Sequence, residues 1–257
     1  MRVNLQPAYI LHARPYRDTS SILEAMTPEH GRISLVARGA RRQSRKGSKT
    51  ALLQPFTPLL LSFSGRAELK TLTTTEAAGV AFPLRGDRMF SAMYINELMV
   101  RLLHQNDPHP GLFAAYGTAL QSLADNVALD VVLRRFEITL LDELGYSFDF
   151  DVDGVSGQPV CESRRYSYDP EYGLVALGEA TEKVSSGYAG SDLLQMACGE
   201  YGGDMRFTAK RLLREVLAAH LGEMPLRSRE LFRAGRPAGP NALRGQHHGG
   251  SIPGEHT

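Results

Sequence analysis

The side chains best placed to do chemistry in this sequence are cations gathered in one short segment, residues 38–49. The segment holds six Lys or Arg residues and no acid, and glycines and serines separate them. A segment of this composition cannot bury itself, so we expect a basic loop in solvent. Its natural ligand is a polyanion, because many weak phosphate contacts add up along a nucleic acid. The alternative is a solvated run of charge without a partner, which is common on protein surfaces.

Three arginines ahead of this loop are expected to join it in neutralising phosphates. Contacts of that kind fix the position of a nucleic acid without reading its sequence. The candidate DNA-binding residues are Arg14, Arg17, Arg32, Arg38, Arg41, Arg42, Arg45, Lys46 and Lys49. Residues 1–80 carry twelve Lys or Arg against five Asp or Glu, a charge of +7, whereas the whole chain carries +1 and the remainder therefore −6. This asymmetry favours a front that faces nucleic acid.

A second set of cations lies on the two strongest predicted helices, beside their apolar stripes. These residues are Arg134, Arg135, Lys210 and Arg211. One interpretation is that their aliphatic stems cover the edge of the core. The other is a hydrophobic notch rimmed by cations, which suits an acidic peptide that ends in a hydrophobic residue and a free carboxylate.

A run of acids in the middle of the chain resembles half of a metal site. Asp149, Asp151 and Asp153 precede Gly154 as in a calcium loop, but Val160 stands where the closing glutamate should be. An exposed acidic turn is therefore the favoured interpretation. A magnesium-dependent nuclease or phosphotransferase built on the three aspartates is kept as an alternative.

Other catalytic and metal motifs are incomplete. Cys161 lacks the further ligands that a tetrahedral zinc site needs. Residues 47–50 have the wrong glycine spacing for a nucleotide-binding loop. We therefore expect a binding protein without enzymatic activity, cofactor or metal.

The elements that must position these residues fall into two groups. Residues 7–76 predict five short strands and one helical turn, which together fit a small closed barrel of OB type, with an SH3-like barrel as the nearest rival. The strands are expected at 8–13, 21–26, 32–38, 57–63 and 67–74, and the turn at 51–54. Three aromatic residues of this region, Tyr9, Tyr16 and Phe63, could stack on bases or could belong to the core.

Beyond Pro83 the apolar residues recur with a helical period. Helices are expected near 89–103, 112–123, 130–144, 191–198, 207–221 and 228–232, and a hairpin or knuckle from short extended pieces at 165–168 and 174–177. The predicted fold class is α+β, an N-terminal OB-fold barrel followed by a mostly α-helical domain with a small irregular insert. We expect a nucleic-acid-binding domain at 1–80, a helical domain at 81–233 with an insert at about 147–187, and a disordered tail at 234–257.

The expected compartment is the cytoplasm, in association with the nucleoid. Two distant cysteines indicate a reducing environment. The N-terminus does not have the composition of a secretory signal, and no apolar run is long enough to cross a bilayer.

Seven blocks of this sequence together resemble the bacterial recombination and repair mediators of the RecO family. They are AYILHARPYRDTS at 8–20, GRISLVARGAR at 31–41, LQPFTPLLL at 53–61, YINEL at 94–98, LRRFE at 133–137, LGY at 144–146 and PLRSRELFR at 225–233. Their order and spacing, rather than any single block, carry the resemblance, which covers nearly all of the chain except its tail.

The resemblance implies a non-catalytic protein that binds single- and double-stranded DNA. Members of the family anneal strands covered by single-stranded-DNA-binding protein and, with RecR, help to load the RecA recombinase. Docking on the acidic tail of the single-strand-binding protein uses cations of the helical domain, which by matching blocks are Arg134 or Arg135, together with Lys210 and Arg211. Some members hold zinc through four cysteines, of which only Cys161 is present, so zinc is not carried over.

One rival function shares these features. An OB-fold protein that binds RNA without catalysis would use the same charges and the same sheet, because phosphates do not distinguish the two nucleic acids.

Overall fold

The structure is a computed structural model, and it describes residues 1–42, 49–178, 187–228 and 230–231. Arg45, Lys46, the side chain of Lys49, the expected tail at 234–257 and part of the expected helix at 228–232 lie outside the described residues. No helix in the described ranges is both long and apolar enough to cross a membrane.

The N-terminal region forms a closed five-stranded barrel, which confirms the predicted OB-like architecture. Its strands follow the order β1-β2-β3-β5-β4, and only the β3–β5 pair is parallel. The elements are β1 Arg2–Tyr16, β2 Ser20–Thr27, β3 Gly31–Ala37, the short helix α1 Lys49–Leu52, β4 Leu59–Ser64 and β5 Leu69–Ala77. Alternate residues such as Leu23, Ile33, Leu35 and Phe63 are completely buried inside the barrel, as the period of two dictates.

The helical region packs around a second core. Its helices are α2 Asp87–Leu102, α3 Pro110–Ala124, α4 Leu129–Glu143, α5 Gly190–Ala197 and α6 Arg206–Leu221, with a 3-10 turn at Gly203–Met205 ahead of α6. The predicted stripe of Val132, Phe136 and Leu140 on α4 is buried, which confirms its orientation. Gly145 has φ +75°, the left-handed backbone expected of the residue that ends this helix.

Between α4 and α5 the chain forms a three-stranded sheet in the order β7-β6-β8, with β6 Arg165–Asp169, β7 Gly173–Ala176 and β8 Tyr188–Ala189. The predicted hairpin is therefore confirmed, and β8 adds a short strand that was not predicted. Asp153 fixes the loop that precedes β6. Its Oδ1 accepts hydrogen bonds from the backbone N–H groups of Val155 and Ser156 at 3.0 and 2.8 Å. Its Oδ2 accepts a hydrogen bond from the backbone N–H of Ala176 on β7 at 2.8 Å, which ties the loop to the sheet.

A polar seam joins the barrel to the helical region. Gly31 at the start of β3 has φ +60°, and a Cβ atom built on it would lie 1.7 Å from the carbonyl oxygen of Asp107. Beside it, the backbone N–H of Asn106 donates to the carbonyl of Arg32 at 2.9 Å. On β1, the carbonyl of Leu11 accepts a hydrogen bond from the Asn96 side chain at 2.8 Å. These contacts hold α2 and the loop that follows it directly against β1 and β3.

Candidate nucleic-acid interface

Several of the predicted DNA-binding arginines meet at the turn between β1 and β2. Arg17 lies in this turn with φ +51°. The backbone N–H of Arg41 donates to the carbonyl of Thr19 at 2.9 Å, and Nη1 of the same residue lies 3.5 Å from the carbonyl of Arg17. These contacts bring the start of the basic loop to the β1–β2 turn, although the two segments are more than twenty residues apart in sequence.

We call this surface the basic tip and define it by Arg14, Arg17, Arg38, Arg41 and Arg42, all of which are exposed. Arg14 lies opposite Ile22 near the end of the β1–β2 ladder. A turn at Gly39, where φ is +65° and the Arg42 N–H donates to the Gly39 carbonyl at 3.1 Å, reverses the chain between Arg38 and Arg42. The β1–β2 turn contains one acid, Asp18, so the five arginines of the tip and Asp18 together carry four net positive charges.

Arg32 does not lie at the basic tip. Its Nη1 makes an ion pair with Glu24 Oε2 at 2.7 Å, and its Nε donates to the carbonyl of Leu103 at 3.1 Å. Only 15% of its side chain is exposed. The structure therefore gives Arg32 partners within the seam, and we leave it out of the proposed interface.

The outer face of β2 and β3 is the surface on which OB-folds commonly bind oligonucleotides. In this chain the helical region covers much of that face. Met26 is fully buried in the helical core, Gln105 donates to the hydroxyl of Ser34 at 3.0 Å, and the buried Lys70 donates to Asn106 Oδ1 at 2.5 Å. The basic tip remains open, whereas the usual ligand face is largely occupied.

The three candidate stacking aromatics take different positions. Phe63 is fully buried in the barrel core. Tyr9 packs between the barrel and α3, with its ring centroid 5.3 Å from that of Phe113 and 5.0 Å from that of Tyr116, and burial raises its pKa. Tyr16 alone of the three lies at the tip, where the guanidinium of Arg17 sits 5.1 Å from its ring centroid. The barrel therefore offers cations for phosphates and few rings for bases.

The second set of predicted cations is divided by the structure. Arg134 is only 4% exposed, and its Nη2 lies 2.5 Å from Glu137 Oε1. The same carboxylate oxygen accepts a hydrogen bond from the Tyr94 hydroxyl at 2.7 Å. Arg134 is thus part of an internal network that joins α2 to α4, a position unsuited to direct contact with a partner.

Arg135, one residue later, is exposed. Burial raises the pKa of Tyr201, and the positive charge of Arg135 opposes that rise, so the two side chains are neighbours. On α6 the guanidinium of Arg211 lies 4.4 Å from the ring centroid of Tyr188 and donates to the carbonyl of Gly187. Lys210 is half-buried and points about 100° away from Arg211 around the helix.

A cation and an aromatic ring at the start of α6 were missed by the sequence reasoning. Phe207 is 67% exposed, and the guanidinium of Arg206 lies 4.7 Å from its ring centroid. The helical period of the sequence could have identified Phe207, because this residue falls outside the apolar stripe of the helix. The buried residues of that stripe are Ala209, Leu212, Leu213, Val216 and Leu217. An exposed ring next to a cation is the kind of surface that a hydrophobic, acidic peptide end would contact.

The acidic run does not support the metal site that was kept as an alternative to an exposed acidic turn, and Asp153 is buried rather than exposed. Both carboxylate oxygens of Asp153 are used by backbone N–H groups. Across the described ranges, no group of three or more His, Cys, Asp and Glu side chains is arranged to hold a metal ion.

Comparisons with known proteins give one consistent result. Residues 1–80 match the family model "Recombination protein O N terminal", and residues 84–230 match "Recombination protein O C terminal". Among similar curated proteins, the "DNA repair protein RecO" of Cellvibrio japonicus is 45% identical over 238 residues, which cover 92% of this chain and 100% of the relative. The proteins of the same name from Methylococcus capsulatus and Pseudomonas aeruginosa are both 44% identical, over 91% and 88% of this chain and 94% of each relative.

Proposed function

This chain belongs to the RecO family of DNA repair proteins, and we propose that it is a non-catalytic mediator that anneals DNA strands coated with single-stranded-DNA-binding protein. With RecR it would then help to load the RecA recombinase. The observation that carries the annealing proposal is the basic tip, where five exposed arginines gather beside a barrel face that the helical region largely covers.

The contrast between cations and aromatic rings bears directly on annealing. A protein that stacks bases on aromatic platforms withdraws those bases from pairing. At the basic tip, contacts would go to phosphates, which fix the strand and leave the base edges free. Neutralised phosphates also repel a second strand less, so two complementary strands can approach each other. The same reasoning requires no bond to be made or broken by the protein.

The proposed site for the acidic tail of the single-strand-binding protein lies on the helical region. Arg135, Lys210 and Arg211 are kept from the predicted set, and Arg206 and Phe207 are added because they pair a cation with an exposed ring. A tail that ends in a hydrophobic residue and a carboxylate would find both partners there. Arg134 supports this region from inside through its ion pair with Glu137.

Strand annealing with paired variants tests the proposal. Arg38→Ala combined with Arg42→Ala removes two exposed cations of the tip, and Arg85→Ala combined with Arg164→Ala removes two exposed cations elsewhere. We expect the first variant to anneal complementary oligonucleotides several-fold more slowly and the second to match the wild type. Equal rates for both variants would show that the tip does not hold the strands.

Partner docking needs a separate measurement. The measurement is the rate at which the wild-type chain anneals strands coated with single-strand-binding protein. We expect this rate to fall when the single-strand-binding protein lacks its last residues. Arg135→Ala combined with Phe207→Ala should show the same loss while binding naked DNA normally. If deletion of the tail changes nothing, the docking proposal falls and the annealing proposal is unaffected.

The RNA-binding alternative is addressed by competition between matched DNA and RNA strands. A strong preference for RNA would favour it. The nuclease alternative is less well supported, because both carboxylate oxygens of Asp153 already accept hydrogen bonds from three backbone N–H groups.

A further inference from the structure

A cavity of about 350 Å³ lies in the helical region, far along the chain from the basic tip. Its walls come from the segment after α4, from the turn between β6 and β7, and from the end of α6. Three tyrosines (Tyr146, Tyr168 and Tyr172), two carboxylates (Asp149 and Glu171) and His220 line it. Among the lining residues that the structure describes there is no lysine or arginine.

The aromatic walls are held in place by packing. The ring of Tyr146 stacks on that of His220 with centroids 3.8 Å apart and an interplanar angle of 11°. The ring of Tyr168 lies 5.3 Å from that of Phe148, which in turn closes over Gly173, where an added Cβ would come within 2.8 Å of the phenylalanine. The rings of Tyr146 and Tyr168 therefore need little rearrangement to receive a ligand.

The charge of the cavity is negative. Asp149 and Glu171 are both exposed. Burial raises the pKa of Tyr168, and the nearby charges of Asp169 and Glu215 raise it further, which shows the sign of the local field. Burial lowers the pKa of His220, which favours the neutral form of its ring.

We propose that this cavity binds the guanidinium group of an arginine in a basic segment of a partner protein. A guanidinium is planar, stacks on tyrosine faces and pairs with carboxylates through two parallel hydrogen bonds. The volume lies at the lower end of the roughly 300–1,000 Å³ range of ligand pockets, which suits one side chain rather than a large cofactor. A nucleic-acid strand fits less well, because its phosphates would face two carboxylates.

The absence of tryptophan from the chain offers a direct test. Tyr172→Trp would place a single indole in the cavity wall, whose fluorescence can follow binding of the blocked peptide acetyl-Gly-Arg-Gly-amide. We expect a saturable change with this peptide, a weaker one with lysine in place of arginine, and none with the neutral isostere citrulline. Calorimetric titration of the unmodified protein with the same peptides checks that the indole has not altered the cavity.

Matched variants test whether the two carboxylates of the cavity are responsible for binding the arginine peptide. Asp149→Asn and Glu171→Gln are each expected to weaken arginine-peptide binding by about threefold to fivefold. Glu76→Gln, which removes an exposed acid of the barrel, should leave it unchanged. Equal binding of the citrulline peptide, equal weakening by Glu76→Gln, or the same fluorescence change with an oligonucleotide would each overturn the proposal.

Discussion

Substitution of Gly31 by alanine tests the close contact between the barrel and the helical region. The residue adopts φ +60°, and its added Cβ would stand 1.7 Å from the carbonyl oxygen of Asp107. Left-handed backbone costs a non-glycine residue about 1 kcal/mol. The overlap with a carbonyl cannot be relieved by a rotamer change, so the loop that carries Asp107 has to move.

That movement would break neighbouring hydrogen bonds of the seam. The N–H of Asn106 donates to Arg32, and the side chain of Asn106 accepts from the buried Lys70. Each lost hydrogen bond costs about 1 kcal/mol. We therefore expect Gly31→Ala to lower the free energy of unfolding by about 3 kcal/mol, as the sum of the backbone and hydrogen-bond costs.

Gly145→Ala is the matched control. Gly145 also has a positive φ, +75°, but an added Cβ would meet nothing within 4 Å. Gly145→Ala should therefore lower the free energy of unfolding by only about 1 kcal/mol, the cost of a left-handed backbone at a non-glycine residue. Urea unfolding followed by circular dichroism measures both variants. Equal losses for the two would refute the close contact at the seam, whereas a surplus of about 2 kcal/mol for Gly31→Ala would support it.

Three further predictions concern the helical region. Arg134→Met should destabilise the protein by about 3–5 kcal/mol in urea unfolding, because Glu137 would keep a buried charge without its arginine, whereas Arg135→Ala should stay within about 0.5 kcal/mol. Burial alone would raise the pKa of Glu97, but hydrogen bonds from residues 227–228 and the charge of Arg101 outweigh it and lower the pKa. This stabilisation is therefore present above the ordinary glutamate pKa and is lost as the pH falls through the lowered value, so Glu97→Gln should flatten the dependence of the melting temperature on acid pH. Asp153→Ala leaves three backbone N–H groups without their acceptor and should cost roughly 2–3 kcal/mol, measured by urea unfolding.

The barrel and the helices were predictable because their signals are local. The alternation of Ile33, Leu35 and Ala37 in β3 and the fourfold spacing of Val132, Phe136 and Leu140 each report which side of an element is buried. The left-handed end of α4 followed from Gly145 alone. The strand β8 has only two residues, too few for any period to show.

Which cations are exposed and which have partners inside the fold was not predictable in the same way. Arg32 and Arg38 stand at the two ends of β3. Only the fold shows that Arg32 pairs with Glu24 and donates to the carbonyl of Leu103, which lies 71 residues away in sequence. Burial of Tyr9 likewise depends on α3, about a hundred residues later. For Arg134 a local signal existed, because Glu137 stands three residues on and such pairs meet on a helix.

The dependence of single-strand affinity on salt tests the central claim most directly. Five phosphate contacts at the basic tip should give a slope of at least about 3.5 log units of affinity per log unit of salt, since each contact on a single strand contributes about 0.7. Arg38→Ala with Arg42→Ala should lower that slope by about 1.4, and Arg85→Ala with Arg164→Ala should not change it. An affinity that does not respond to salt, or a slope that survives loss of the tip arginines, would contradict the assignment of this surface to DNA.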